Sequence, residues 1–254
     1  MEINRKRKRF QGVLNILSFN RHFYIIGVSA LIVLWCLQSF FNWPEYIKWV
    51  ILLFFSYGLL IPLIVSAYVY DYSRYYDFEW LEKLELVDSR NTKILNINAG
   101  FDETSFIIKR KLSKSTLKVF DFYEELKHTE RAIKIARKVS QVYPNTEVIK
   151  TNRIPLKDKS VDTIFLLSAA HEIRSNSEKV TFLKECNRVL KYKGKIILVE
   201  HLRDLPNFLA FSVGFTHFFS KNTWKNVFKE AGLSIKNEIK FTPFMSIFNF
   251  SKSI

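Results

Sequence analysis

A glycine turn between two short apolar segments, followed by a carboxylate, is the stretch best suited to chemistry. Residues 94–97 and 117–120 each predict a short buried strand, and Asp102 can cap a helix that runs between them. Gly100 opens the turn after the first segment, and Asp121 follows the second. A carboxylate about 20 residues after such a turn is placed to bind the ribose hydroxyls of a nucleotide. The spacing predicts the first half of a nucleotide-binding α/β fold.

The turn itself is poorly suited to a pyrophosphate group. A dinucleotide site has glycine at three positions, whereas this turn has Asn98, Gly100 and Glu103 there. Asp102 and Glu103 also place two carboxylates at the helix N-terminus, where a phosphate needs bare backbone N–H groups. S-adenosylmethionine (SAM) carries no phosphate, and its sulfonium and ammonium groups suit an acidic turn. The residues therefore argue against NAD and FAD and favour SAM.

From this turn onward the sequence resembles the class I SAM-dependent methyltransferases, a family with a Rossmann-like fold. Asn96 stands where the family has an acid, and Asn98 and Asp102 stand at its first and third glycine positions. The most specific match is the run 185–200, which resembles the family's E-x-x-R-V-L-K-P-G-G, then strand, then acid, with two positions changed. The resemblance covers roughly residues 91–254.

The resemblance implies both a fold and a cofactor. The implied fold class is α/β, with a Rossmann-like methyltransferase sheet that has helices on both faces, and the implied cofactor is S-adenosyl-L-methionine. Asp121 would take the ribose hydroxyls and Phe122 would pack on adenine, although Asp121 can also be read as an ordinary acid at a strand end. The expected cofactor-binding residues are Asn98, Ala99, Gly100, Phe101, Asp121, Phe122, Asn152 and Ser168.

Two residues after the fourth predicted strand are the catalytic candidates. His171 and Glu172 lie at the carboxyl edge of the sheet, where such folds bind ligands. His171 could act as general base, with Glu172 as its orienter or as a substrate contact. The alternative for His171 is a polar cap on a strand end. Methyl transfer can proceed through alignment of the reacting atoms with little acid–base help, so the reaction does not require a base.

Two uncharged stretches near the N-terminus predict a membrane anchor. Residues 23–41 and 49–70 are each long enough to cross a hydrocarbon core of about 30 Å as a helix. A cleaved signal peptide is the alternative for the first stretch, but that stretch is too long and a second span follows at once. Pro62 should kink the second helix. Six Lys and Arg residues in residues 1–21 place the N-terminus in the cytoplasm, and two crossings return the large domain there.

The sequence divides into four parts. We expect a basic cytoplasmic N-terminus (1–21), two transmembrane helices (22–70), a linker helix (71–90) and a methyltransferase-like domain (91–254). The aromatic residues of the linker are expected either at the membrane surface or on the domain. The aromatic stretch 208–219 lies where the family carries a substrate cover, and it could line a lipophilic pocket, dip into the interface or pack in the core.

The composition limits the kinds of molecule that the chain is expected to bind. The chain of 254 residues carries a net charge of +15, which fits attraction to an anionic surface or a generally basic proteome. Cys36 and Cys186 support neither a disulfide framework nor a cysteine-based metal site, and no metal is predicted. Motifs for methylating nucleic-acid bases are absent, so nucleic acid is an unlikely partner.

These observations lead to two functional hypotheses. The first is a membrane-anchored SAM-dependent methyltransferase that acts on a small-molecule or lipophilic substrate at the cytoplasmic face, in contact with membrane lipid. The second is a degenerate methyltransferase-like domain that serves as a membrane-tethered binding module. The altered glycine turn, with Asn98 and Asp102, keeps the second hypothesis open.

Overall fold

An α/β domain follows two long apolar helices in the computed structural model, which describes residues 7–128 and 130–253. The helices are Gln11–Phe19 (α1), Arg21–Phe40 (α2), Glu45–Ser66 (α3), Ser105–Lys111 (α4), Arg131–Val139 (α5), Asn176–Val189 (α6), Leu205–Phe211 (α7) and Lys221–Glu230 (α8). The strands are Lys93–Asn98 (β1), Thr116–Asp121 (β2), Glu147–Val148 (β3), Val161–Leu167 (β4), Leu190–His201 (β5), Leu233–Thr242 (β6) and Met245–Lys252 (β7).

The seven strands form one sheet in the order β3-β2-β1-β4-β5-β7-β6. Neighbours from β3 to β5 pair in parallel, and β7 pairs antiparallel with both β5 and β6. The strand order reverses between β1 and β4, and ligands of open α/β sheets bind in the crevice at such a point. The predicted Rossmann-like sheet is confirmed.

Each face of the sheet is covered by a separate apolar core, as the alternation of side chains along strands requires. One core joins alternate strand residues to α5, α6 and α8, with Phe182, Trp224 and Phe228 fully buried. The other core joins the intervening strand residues to α4, α7 and the chain that leaves α3. Val65 and Val69 belong to this second core, so the second apolar helix ends inside the domain.

The predicted linker helix is replaced by short turns that pack on the sheet. A π-helical turn, Ala67–Tyr72, is followed by 3-10 turns at Tyr75–Asp77 and Glu79–Leu84. Arg74 and Phe78 adopt left-handed backbone conformations, which prevent these turns from joining into one continuous helix. The aromatic side chains are on the domain rather than at a membrane surface, since Tyr75, Phe78 and Trp80 are each at most 2% exposed.

The amphipathic segment after β2 is also less helical than its pattern predicts. Leu126, Ile133, Ala136 and Val139 recur at helical spacing and predict a helix over residues 124–139, but the helix begins only at Arg131. Residues 124–128 instead form a turn in which the Nδ1 atom of His128 accepts from the N–H of Glu124 at 2.8 Å.

The apolar helices α2 and α3 pack against each other and leave most of their large side chains exposed. Their apolar windows have mean hydropathies of 2.0 and 2.4, and only 6% and 11% of those windows are buried. By length and composition both helices are able to cross a membrane, which is weak evidence for membrane association. α3 runs through Pro62 without ending there, and the kink expected at this residue stays a prediction.

The N-terminal segment is tied to the domain. The guanidinium of Arg7 contacts the carboxylate of Glu103 at 2.6 Å and lies 3.5 Å from the ring centre of Tyr76. The N–H groups of Gly12 and Val13 donate to the carboxylate of Asp71. The first residues of the predicted basic N-terminus, 1–6, lie outside the described residues.

We predict that Trp80→Ala lowers the melting temperature far more than Trp49→Ala does. The Trp80 side chain is 2% exposed and its indole N–H donates to the Tyr75 carbonyl at 3.1 Å, whereas Trp49 is 64% exposed on α3. Truncating a buried tryptophan costs about 3–5 kcal/mol. Thermal unfolding of both variants in detergent measures the difference, and equal midpoints would contradict the packing described for residues 67–84.

Candidate functional site

The carboxyl edge of the sheet brings the predicted turn and acid together. Asn98 and Asp121 are direct partners in the register of β1 and β2. A Cβ atom built on Gly100 would lie 2.9 Å from the Oδ2 atom of Asp121, so the two residues are in van der Waals contact. The topology alone causes this proximity, because adjacent parallel strands end at the same edge.

The turn after β1 keeps its shape although it has one glycine. The Oδ1 atom of Asn98 accepts a hydrogen bond from the N–H of Gly100 at 2.7 Å, so its side chain fixes the turn. Gly100 has a φ of +81°, which favours glycine because a Cβ clashes with the backbone there. The Ala99 side chain is buried beneath the turn.

The two carboxylates after the turn, those of Asp102 and Glu103, accept hydrogen bonds from other residues of the chain. One oxygen of Asp102 accepts from the N–H groups of Thr104 and Ser105, both at 2.9 Å, and so caps the first turn of α4. The carboxylate of Glu103 accepts from Arg7 and from the hydroxyl of Tyr76 at 2.7 Å. The acidic character of the turn therefore stabilises α4 and fastens the N-terminal segment.

An arginine that the sequence analysis did not identify lies against the predicted ribose carboxylate. Arg137 on α5 donates to Asp121 at 2.7 Å and to the Ala99 carbonyl at 3.2 Å. Its guanidinium lies 4.0 Å above the ring of Tyr123, and a Cβ on Gly100 would overlap it. A ribose that binds Asp121 must displace this guanidinium.

Two buried polar atoms face neighbouring strand ends without partners. The Nδ2 atom of Asn98, at the end of β1, has no hydrogen-bond partner among the described residues. The same holds for the Oγ atom of Ser168, which follows β4 in a left-handed conformation with φ of 49°. Buried polar groups are normally bonded, so these two atoms mark a place for a polar ligand at the strand-order reversal.

The remaining predicted SAM contacts differ in accessibility. Phe122 is 1% exposed and packs against Phe182, so in this structure its ring lies within the core. The neighbouring ring of Tyr123 is partly exposed. Phe101 packs edge-on against Phe19 of α1, and Asn152 lies exposed on the turn after β3. The assignment of these residues to cofactor binding stays a prediction.

The catalytic candidates lie in a charged cluster. The Nδ1 atom of His171 is 2.7 Å from a carboxylate oxygen of Glu200 at the end of β5, and its Nε2 atom is 3.4 Å from Glu172. Burial alone would lower the pKa of His171, but Glu200 and Glu172 together raise that pKa to about 10. At neutral pH the ring is therefore an imidazolium that joins two carboxylates. The sequence analysis did not identify Glu200 as the partner of His171.

A second histidine connects the sheet edge to the apolar helices. The Nδ1 atom of His201 donates to the carbonyl of Phe244 at 2.9 Å, so its Nε2 atom accepts from the hydroxyl of Tyr70 at 2.7 Å. Burial lowers the pKa of His201 to about 4, and the ring is neutral. Because Tyr70 belongs to the π-helical turn after α3, this hydrogen bond fixes the end of that helix at the carboxyl edge.

The segment that follows β5, residues 205–217, has an exposed apolar surface. The helix α7 and the 3-10 turn Ser212–His217 carry large apolar side chains that are at least 46% exposed: Leu205, Phe208, Leu209 and Val213. The hydroxyl of Tyr57 on α3 donates to the Leu209 carbonyl, which places α7 beside the second apolar helix. Residues 208–219 are divided between two of the expected environments. Ala210 is buried and Phe211 and Phe219 pack against the cores, whereas Phe208, Leu209 and Val213 are exposed, so their placement in a pocket or an interface stays a prediction.

A cleft of about 710 Å³ lies apart from this cluster, between α1, α4 and residues 139–144. Asp102, Glu103 and Phe106 line one side of it. It borders the outer side of the glycine turn and does not include Asp121 or His171, so we place the candidate site at the sheet edge.

The sequence comparisons match the domain to methyltransferases. The pattern of the methyltransferase domain family matches residues 111–198, which include Asp121, Ser168 and His171 but not the glycine turn. A demethylmenaquinone methyltransferase from Thermotoga maritima is 28% identical over 151 residues, or 58% of this chain. The chain spans about 60% of the length of this curated relative.

Two solved structures share the architecture. A SAM-dependent methyltransferase from Methanosarcina mazei has a TM-score of 0.51 at 14% identity, and the match covers 68% of this chain and 97% of that chain. A protein from Pyrococcus horikoshii has a TM-score of 0.50 at 18% identity, with 70% and 90% covered. At these identities the likeness shows the fold.

We predict that stability falls as the pH rises from 7 to 8, and that Glu200→Gln reduces this slope. The raised pKa of His171 keeps it protonated in the folded state, while the unfolded chain has lost that proton above about pH 6.5. Stability from this group is therefore complete below pH 6.5 and is lost towards pH 10, at about 1 kcal/mol per pH unit. Removing the Glu200 charge lowers the pKa of His171 and so the slope.

Thermal midpoints in detergent at pH 7 and pH 8 test this prediction. For a chain of this size about 1 kcal/mol corresponds to about 2–4 °C. The variant Asp158→Asn changes an exposed carboxylate and serves as the control. A slope that is the same in Glu200→Gln and in the native chain would mean that His171 is not protonated in the folded protein.

Proposed function

We propose that this chain, a class I (Rossmann-like) SAM-dependent methyltransferase by fold and family match, is anchored in a membrane and methylates a lipophilic acceptor at the cytoplasmic face. One observation carries the proposal. The carboxyl edge that holds the candidate site is joined to the second apolar helix through Tyr70 and through the contact of Tyr57 with α7. The acceptor site and the anchor are therefore one connected structure.

The residues at the strand-order reversal fit SAM, which supplies an electrophilic methyl group when bound. Asp121 offers a carboxylate for the ribose, and the space beside Gly100 that a ligand would need is filled by the guanidinium of Arg137. The unpartnered Asn98 Nδ2 and Ser168 Oγ atoms offer a donor and a hydroxyl for polar groups of the cofactor. Arg137 leaves Asp121 when the ribose enters.

His171 holds a proton rather than taking one. The proton on its Nε2 atom faces Glu172 at 3.4 Å, and turning that N–H from Glu172 to an acceptor oxygen would stabilise negative charge that develops there. Glu200 orients the ring through Nδ1. This role differs from that of a general base and agrees with a reaction that depends mainly on alignment.

Exposure of the apolar helices supports the membrane anchor. Side chains such as Phe23, Ile25, Leu53 and Phe54 are more than 60% exposed on α2 and α3. A contiguous apolar surface of this size is not stable in water and fits the hydrocarbon core of a bilayer. The excess of Lys and Arg before α2 supports a cytoplasmic N-terminus and, after two crossings, a cytoplasmic large domain.

The apolar cover supports a lipophilic acceptor. The exposed side chains of Leu209 and Val213 extend the apolar surface of α3 towards the sheet edge. A lipid-soluble molecule can reach the site along this surface without entering water. The curated relative is named for demethylmenaquinone, and we propose an acceptor of that lipophilic type.

A catalytically degenerate, membrane-tethered binding module is the second candidate. The ion pair between Arg137 and Asp121 favours it, because a permanent pair would exclude ribose from the carboxylate. Binding of SAM to the full-length chain distinguishes the two functions.

We predict that Asp121→Ala weakens SAM binding at least ten-fold and that Arg137→Ala strengthens it several-fold. The first variant removes charged hydrogen bonds to the ribose, and hydrogen bonds to charged groups contribute about 1.5–3 kcal/mol. The second variant removes the group that competes for the carboxylate. Titration calorimetry of the full-length chain in detergent measures both, with Asp158→Ala as the control. Absence of binding by the native chain at millimolar SAM would support the binding module instead.

We predict that Val213→Asp raises the KM for a lipid-soluble acceptor about five-fold or more and leaves SAM affinity unchanged. A carboxylate on this surface is costly to place against hydrocarbon. Transfer of radiolabel from SAM into a solvent-extracted lipid fraction measures the effect. Val87→Asp changes a valine that is 69% exposed in the segment before β1 and serves as the control. A rise in KM that is equal in both variants would argue against entry over α7.

A further inference from the structure

Three side chains with metal-ligating atoms converge at the sheet edge. His171 and Glu172 come from the single turn after β4, and His217 ends the 3-10 turn that follows α7. One ligand atom from each side chain lies within 4.8 Å of the other two. Two imidazoles and one carboxylate are a ligand set that binds divalent transition metals.

A carboxylate lies on the far side of each ring, and the one beside His171 is close enough to orient that ring. The Nδ1 atom of His171 is 2.7 Å from Glu200, which leaves its Nε2 atom towards Glu172. The Nδ1 atom of His217 lies 3.6 Å from Glu130, beyond hydrogen-bond distance but on the same side of the ring. A carboxylate on the far nitrogen is the usual support of a metal-bound histidine, since it fixes the tautomer and the ring orientation.

Glu172 is an independent sign of a missing ligand. Its side chain is buried, with 6% of the residue exposed, and its Oε2 atom has no hydrogen-bond partner within residues 7–128 and 130–253. A buried carboxylate oxygen without a partner is costly. A cation between Glu172 and the two rings would supply that partner.

Arg174 holds the two histidine-bearing segments together. One nitrogen of its guanidinium donates to the carbonyls of His171 at 3.2 Å and of His217 at 2.6 Å. The convergence of the ligands therefore does not depend on the side chains alone. The charge of Arg174 opposes a cation, but Glu172 and Glu200 outweigh it with two negative charges.

We propose that His171, Glu172 and His217 bind one divalent transition-metal ion, with Zn²⁺ as the representative. The ion takes the place of the proton that otherwise joins His171 to Glu172. Three protein ligands leave a coordination position open, and the side chains of His171 and His217 are 15% and 30% exposed, so the open position faces the substrate side. If the proposed methyltransferase function holds, an acceptor oxygen fits that position; ion binding itself does not depend on that function.

Titration of the chelator-stripped, full-length chain with Zn²⁺ alone tests the proposal. Calorimetry should give one ion per chain, and His217→Gln and Glu172→Gln should each weaken binding at least ten-fold. His22→Gln, which changes a histidine at the start of α2, should bind as the native chain does. SAM binding measured on the same samples shows whether each variant is folded and tests the proposed function separately.

X-ray absorption at the zinc edge of the native chain identifies the ligands directly, so this measurement does not depend on whether the variants fold. The native chain should show two imidazole ligands together with oxygen ligands. No saturable binding by the native chain, equal affinity in the variants, or a ligand shell without two imidazoles would each overturn the proposal. Zn²⁺ binding without SAM binding would leave the metal site in place and refute the methyltransferase function.

Discussion

The structure depends on apolar burial between the sheet and the chain that leaves the second apolar helix. Val65, Val69 and the aromatic residues of the turns after them cover a face of the sheet that would otherwise expose Phe165 and Ile197. Burial of this kind contributes roughly 1.5–3 kcal/mol for each large side chain, and it is not available to a domain cut at residue 90. The second apolar helix and the sheet therefore share one core, and packing fixes the orientation of the carboxyl edge relative to that helix.

Charge at the sheet edge is arranged in pairs because the site is largely buried. Asp121 contacts Arg137, and His171 contacts Glu200. In a medium of low polarity each of these charges alone would be unstable, so pairing is the condition for keeping them there. The same pairing holds these side chains in place in the absence of a ligand.

The fold was predictable because it follows from local patterns, whereas much of the site was not. Apolar runs and the spacing of Gly100 and Asp121 are enough to place strands, and the topology then brings strand ends together. The ion pair of Asp121 with Arg137 joins residues 16 apart, and that of Arg7 with Glu103 joins residues 96 apart. Such pairings depend on tertiary geometry that no periodicity encodes. The prediction of a linker helix over residues 71–90 was wrong for the same reason. Its sequence is compatible with a helix, but it folds into turns because its aromatic side chains pack on the sheet.

The position of the last strand has a consequence for biosynthesis. β7 lies between β5 and β6 and supplies Met245 and Ile247 to the face that the chain after α3 covers. On a ribosome the two apolar helices and the aromatic turns emerge before β7, so this face of the sheet stays incomplete until β7 is translated. Until then the nascent chain exposes an apolar sheet face, a kind of surface that makes folding intermediates prone to aggregation.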